Sequence, residues 1–376
     1  MKPPLTRDMI SIGSPLPCDL RNEAGRIVFR KGFVINTEAS LKRLLAMGLF
    51  PDNDMVSPAD DSQAAGLLQG RGPFRKIEYW ADQTHECFNR LVTGNHQQQQ
   101  DAIHELIASL RELFLEHRTA CLAAIHFNHN RPYSCLHPIY SLFLAELFSH
   151  ARGHDEDTAR QLAGAAFTAN LGMFEFHDEW ANLEGPLDEE QQSQRLAHPE
   201  KSVLRLRSAG IDDHLWLDTV LQHHELADGS GYPTGLAGKA ISGGARLLAV
   251  IDRYLAFIIP RRGRNPSHHP TTALKILYED PARYEQEIVS TFIHELGVYP
   301  PGTLVVLVNG EIAVVTRLET GDSLHPHVLS LGFAGGDRLA RPMPRDTREP
   351  PYRIRDIHLA GEDEGITAAR VADAWL

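Results

Sequence analysis

A helical periodicity running from about residue 75 to 297 constrains this chain more than any other feature. Apolar residues there recur at three- and four-residue intervals instead of alternating, so this stretch must bury itself as packed helices. Leu106, Leu110, Leu113 and Leu115 form one such amphipathic run, and the QQQQ at 97–100 reads as the solvated start of a helix. Beyond Gly297 the pattern changes. TLVVLVNGEIAVVT places Asn309-Gly310 between two β-rich runs, which is a hairpin signature. Near the N-terminus, LPCDL and RIVFRKGFVI read as strands around RNEAG. TEASLKRLLAMG then reads as a short helix, with Thr37 as N-cap and Gly48 just past its end. The expected fold is mainly α. A small α+β module at 1–50 and a Pro/Gly/Asp/Ser-rich linker at 51–74 precede a helical domain at 75–297, with a small β subdomain and tail at 298–376.

Bulk properties narrow the function classes. The 376 residues carry a formal net charge of −12, against what a phosphate backbone requires of its partner, so nucleic-acid binding is not expected. Cys18, Cys87, Cys121 and Cys135 are far apart and form no CxxC, which fits a reducing compartment better than a thiol-metal site or a disulfide framework. MKPPLTRDMISIG lacks the basic-then-apolar pattern of a signal peptide, and no apolar run is long enough to span a bilayer. The expectation is a cytoplasmic protein. The leucines of 75–120 belong either to the core or to a homodimer interface.

Placement, more than number, makes the histidines informative. In DDHLWLDTVLQHHEL, Leu217, Val220, Leu221 and His224 share a helical face, which turns His224 toward the core with His223 beside it. In SCLHPIYSLFLAELF, His137, Tyr140, Leu144 and Leu147 do the same, and Pro138 in a first turn would put His137 at the helix start. His198 also precedes a proline, in LAHPEKSVLRL, and so is expected at a helix N-terminus. In GARLLAVIDRYLAFI, Asp252 interrupts an apolar helix and must be paired, hydrated or metal-bound. A single inward histidine is ordinarily a hydrogen-bonded core residue. Four of them with a buried aspartate, on four helices, have the make-up of a metal site.

The stretch HHELADGSGYPTGLAG closely resembles the signature of HD-GYP domains, cyclic-di-GMP phosphodiesterases on the all-helical HD-superfamily fold. YSCLH, LAHPE, ARLLAVID and ELGVYPPGTLV extend the resemblance over about 130 to 300. It implies a two- or three-metal centre, usually of iron or manganese. His137, His198, His223, His224 and Asp252 match metal ligands, and Gly231, Tyr232 and Pro233 match the loop that names the family. Tyr133 stands where three-metal members carry a Glu ligand.

The eponymous doublet departs from the pattern. A segment like LLHDIGK is expected one helix earlier, and FTANLGM stands there, in a register anchored by LEGPLDEE at 183–190. On that register Ala169 replaces the His, Asn170 the Asp and Met173 the catalytic Lys. His177-Asp178 in EFHDEW is rejected as a shifted replacement and reads as a solvated polar loop. The resemblance then implies at most one iron, manganese or zinc ion, on His198, His223 and His224, and a degenerate, non-hydrolytic member. Such a protein would sense cyclic-di-GMP or dock a partner such as a GGDEF protein. Arg261 and Arg264 in IPRRGRNP match a family segment and are candidates to grip phosphates. The alternative is a weak metal-dependent phosphodiesterase working from the three-His site.

Overall fold

The structure is a computed structural model and describes residues 20–21, 27–29, 45, 50–51, 72–94, 99–260, 268–319, 322–333, 338–358 and 371–375. The chain divides into two compact units, Met1–Gly70 and Arg71–Leu376. In the first, β1 (Leu20–Arg21) pairs antiparallel with β2 (Ile27–Phe29) and β3 (Phe50–Pro51), in the order β2-β1-β3. Apart from Leu45, the helix read after Thr37 lies outside the described residues, as does Cys18. Both ends of the segment read as a linker are structured. Phe50–Pro51 pairs in the sheet, and Pro73 and Phe74 open a helix.

The second unit begins with α1 (Pro73–Val92), where Pro73 occupies the first turn and costs no hydrogen bond. Then come α2 (Gln99–Glu116), α3 (Arg118–Phe127), α4 (Tyr133–Arg152) and α5 (Glu156–Thr168). A 3-10 turn at Leu171–Met173 leads into α6 (Phe174–Ala181). The bundle is completed by α7 (Glu189–Ser208), α8 (His214–Gln222), α9 (Gly243–Ile258), α10 (Pro270–Tyr278) and α11 (Gln286–Leu296). In α2, Leu106, Leu110 and Leu113 are buried but Leu115 is 58% exposed, because two residues past Leu113 lies on the opposite side of a 3.6-residue turn. Gln99, expected in solvent, is buried.

Helix α4 is the axis of the bundle. Every residue from Ser134 to Ser149 is buried, as expected of a helix that is apolar on all sides, and α1, α2, α5, α6, α9 and α11 pack around it. A five-stranded antiparallel sheet follows: β4 (Leu304–Leu307), β5 (Glu311–Glu319), β6 (Asp322–Phe333), β7 (Arg338–Asp346) and β8 (Ile354–Ile357), in the order β7-β6-β5-β4-β8. Val306 pairs with Ile312 across the Asn309-Gly310 turn, and Gly310 takes the φ of +87° that this turn needs. The sheet shares the compact unit of the bundle. Trp375 is wedged 5.5 Å from the Phe74 ring and 6.0 Å from the Phe127 ring.

Candidate metal centre in the helical bundle

Four elements and one connecting turn bring the candidate residues together. His137 comes from α4, Asn170 from the turn after α5, His198 from α7, His223 and His224 from the end of α8, and Asp252 from α9. Neither proline marks a helix start. His137 is the fifth residue of α4, and Pro138 follows it inside the helix. His198 lies mid-way along α7, which starts upstream with a capping box of Asp188 and Gln191. A proline removes one N–H donor from a helix, and dense packing on either side tolerates that loss here.

The start of α4 is held from outside. Asp178 accepts from Ser134 N at 2.9 Å and from Ser134 Oγ at 2.6 Å, satisfying first-turn donors of the helix. His177 and Asp178 are therefore helical residues on α6 and not a solvated loop. His177 is buried, its ring 4.9 Å from Tyr133 and 5.7 Å from His137. Phe174, His177, Trp180 and Ala181 are the buried residues of α6, a helical spacing that could have placed His177 inside.

Three imidazoles form the densest cluster. The ligand atoms of His198, His223 and His224 all lie within 4.8 Å of one another, so this group could hold a metal. Hydrogen bonding fixes two of the tautomers. His198 Nδ1 sits 2.5 Å from Arg195 O and His223 Nδ1 2.6 Å from Val220 O. A carbonyl can only accept, so both Nδ1 atoms carry the proton and both Nε2 atoms present lone pairs. Those Nε2 atoms face each other at 3.2 Å. Two buried lone pairs in opposition repel, and a shared cation removes the conflict, so these residues fit a metal. Burial above all, and also neighbouring imidazoles, pushes these histidines below their ordinary pKa, so they are neutral and ready to ligate.

The other half of the site is a row of polar groups in close approach. Asn170 Nδ2 donates to His137 Nδ1 at 3.3 Å, which leaves His137 Nε2 as the protonated nitrogen; that atom lies 3.3 Å from Asp252 Oδ1 without the alignment of a hydrogen bond. Asn170 Oδ1 is buried without a partner among the described residues. Asp252 is 27% exposed, and its second oxygen lies 3.9 Å from His224 Nδ1. Burial alone would raise this carboxyl, but His137 and the other surrounding imidazoles hold it well below the usual range. Ala169 and Met173 are buried beside Asn170.

The Gly231–Pro233 loop closes over His224. Tyr232 N donates to His224 O at 3.1 Å, and the Tyr232 ring stacks on the His224 imidazole with centroids 4.7 Å apart. Gly231 permits this approach, because a Cβ there would lie 2.4 Å from Leu226 N. Sequence reasoning missed the anchor of the loop, Glu225. Its buried carboxylate accepts from Thr234 N, Thr234 Oγ1, Gly235 N and Leu236 N at 2.7–3.1 Å. It also missed Arg195, whose Nη1 donates to Tyr232 OH at 3.0 Å. Arg261 and Arg264 lie outside the described residues.

Residues 103–288 match the family model described as HD domain. Over 349 residues the chain is 26% identical to the cyclic di-GMP phosphodiesterase PA4108 of Pseudomonas aeruginosa, covering 92% of this chain and 80% of that protein. Residues 103–288 thus match an HD domain, and the chain is similar to cyclic-di-GMP phosphodiesterases. The cyclic di-GMP phosphodiesterase PdeB of Borreliella burgdorferi is 18% identical over 196 residues, 52% of this chain and 52% of PdeB. Among solved structures, Bd1817, an HDG"Y"P protein of Bdellovibrio bacteriovorus, aligns over 76% of this chain and 96% of its own, at 15% identity and a TM-score of 0.49. No helix among the described residues of this chain is long and apolar enough to cross a membrane.

Proposed function

We propose that this chain is a non-hydrolytic member of the cyclic-di-GMP signalling machinery, holding one metal on His198, His223 and His224. It would act by binding the nucleotide, or a GGDEF-type partner, at the face carrying the Gly231–Pro233 loop. The observation that carries this reading is Asn170, a neutral amide set against His137 at 3.3 Å. Where a second metal would need a bridging carboxylate, Asn170 offers a neutral amide whose Nδ2 donates to His137 Nδ1. Two closely spaced dications repel strongly, and an amide does little to offset that. Met173 supplies no charge where the HD-GYP resemblance calls for a lysine. Electrostatic stabilisation of the reacting phosphate is usually the largest catalytic contribution, so both losses strike where hydrolysis depends on the protein most.

The three-His group favours a second reading, a slow phosphodiesterase. When bound, a metal there would lower the pKa of a bound water and supply a nucleophile. The chain's own contribution would be to hold His198 and His223 in their ligating tautomers through Arg195 O and Val220 O. One experiment separates the two. Protein purified without oxygen and loaded with excess iron and manganese is assayed for metal per chain and for cyclic-di-GMP turnover. The proposal expects one metal and no turnover. Two metals with turnover would overturn it, and turnover on one metal that His223→Ala abolishes would establish the slow enzyme.

A further inference from the structure

We infer that Arg195 is the anion-gripping residue of this site, directed at a phosphate group of the ligand. The inference rests on the nucleotide-binding form of the function proposed above and adds to it a residue that the family resemblance does not single out. Arg195 lies one turn before His198 on α7, and its carbonyl fixes the His198 tautomer. Its guanidinium carbon is 5.1 Å from the centre of the Tyr232 ring, which stacks in turn on His224. Arginine, tyrosine and histidine thus form a layered stack ending at the candidate metal position.

What sets this arginine apart is how it is held. Among the described residues Arg195 makes no ion pair. Nε donates to Gln192 Oε1 at 3.2 Å and Nη1 to Tyr232 OH at 3.0 Å. Arg205, by contrast, binds Leu171 O and Glu175, Arg246 faces Glu285 at 3.0 Å, and Arg253, beside Asp252, lies 4.4 Å over the Phe257 ring. Two neutral partners orient the Arg195 fork without cancelling its charge, and Nη2 is left over. That is how an arginine is held when its carboxylate or phosphate arrives with a ligand. Across the site the three histidines are neutral and Asp252 is negative, so Arg195 adds positive charge to that of a metal on the three histidines.

The test compares wild type, Arg195→Ala, Arg195→Lys and Arg207→Ala for affinity toward cyclic-di-GMP and inorganic phosphate, with metal per chain measured on each. Arg207 is exposed in the last turn of the same helix, so its loss removes equal charge away from the site. The expected result is a loss of about ten- to hundredfold in affinity for Arg195→Ala, the worth of a charge-assisted hydrogen bond. Arg195→Lys should recover part of it, Arg207→Ala should change nothing, and metal content should hold throughout. Should Arg195→Ala fail to fold, Arg195→Gln can keep the hydrogen bonds without the charge. Unchanged affinity overturns the inference while leaving the proposed function standing, and so does parallel loss of metal and affinity. A wild type that binds neither probe sinks both the inference and nucleotide sensing.

Discussion

At the scale of single residues, the local chemistry turns on which polar groups find partners. Glu225 is the clearest case. A carboxylate only 1% exposed survives without a cation because four donors of the Thr234–Leu236 turn converge on it. Glu225→Gln keeps the shape but sets an NH2 group against N–H donors. An unsatisfied buried donor costs about 1–3 kcal/mol, so the variant should melt at lower temperature. Its backbone exchange should speed up at 231–236 more than elsewhere. Uniform exchange across the chain would mean that Glu225 does not clamp the loop. His137, His224 and Asp252 stood out in the sequence because each interrupts or continues an apolar helical face, and His198 and His223 through the proline and the second histidine beside them. Glu225 and Arg195 did not, since their partners are backbone atoms and a tyrosine brought near only by the fold.

At the scale of elements, the turn carrying Asn170 is pinned to α7 with almost no clearance. Gly172 N donates to Ser202 Oγ at 2.7 Å, Ser202 Oγ donates to Ala169 O at 2.7 Å, and Arg205 reaches Leu171 O at 2.6 Å. A Cβ on Gly172 would stand 2.1 Å from His198 O and 2.7 Å from Ser202 N. Both are helix backbone, which cannot swing aside. Gly172→Ala should therefore cost about 1–3 kcal/mol by overpacking. Because α7 carries His198, it should also lower metal content, whereas Ser202→Ala should lower stability with less effect on metal. Melting curves and metal counts on both variants decide this; a Gly172→Ala protein with wild-type values would show that the turn can move. Helix existence was readable from periodicity, but helix starts were misplaced at Pro138 and Pro199. Proline at N1 is a preference and not a rule, and the better signals lay elsewhere. The Asp188–Gln191 capping box is local in sequence, whereas Asp178 caps α4 from a different helix and leaves no local trace.

At the scale of the whole described unit, the Asn309-Gly310 hairpin announced a sheet, but nothing in its sequence showed that the sheet would pack on the bundle. Part of that seam is built on neutral histidines. His126 Nδ1 donates to Pro301 O at 2.7 Å, and its Nε2 lies 3.0 Å from Tyr254 OH, placing one side chain between α3, α9 and the approach to β4. Burial lowers His126 to about 3, with the neighbouring His269 and His129 adding to the effect, and burial lowers His269 to about 4. Unfolded, each would titrate near ~6.5. The folded values lie below that, so between pH 6.5 and 4 the unfolded chain binds more protons. The stabilisation is complete above pH 6.5 and is lost as the pH falls. Each such histidine contributes a slope of about 1.4 kcal/mol per pH unit. His126→Gln can still donate to the Pro301 carbonyl and accept from Tyr254, but it cannot be protonated. Its stability should therefore fall less than that of wild type between pH 7 and 5, by about 2 kcal/mol. Denaturant unfolding at both pH values measures the difference directly, and histidines common to both proteins cancel in it. Parallel pH profiles would mean that His126 takes up its proton without cost and that the seam does not depend on its neutrality.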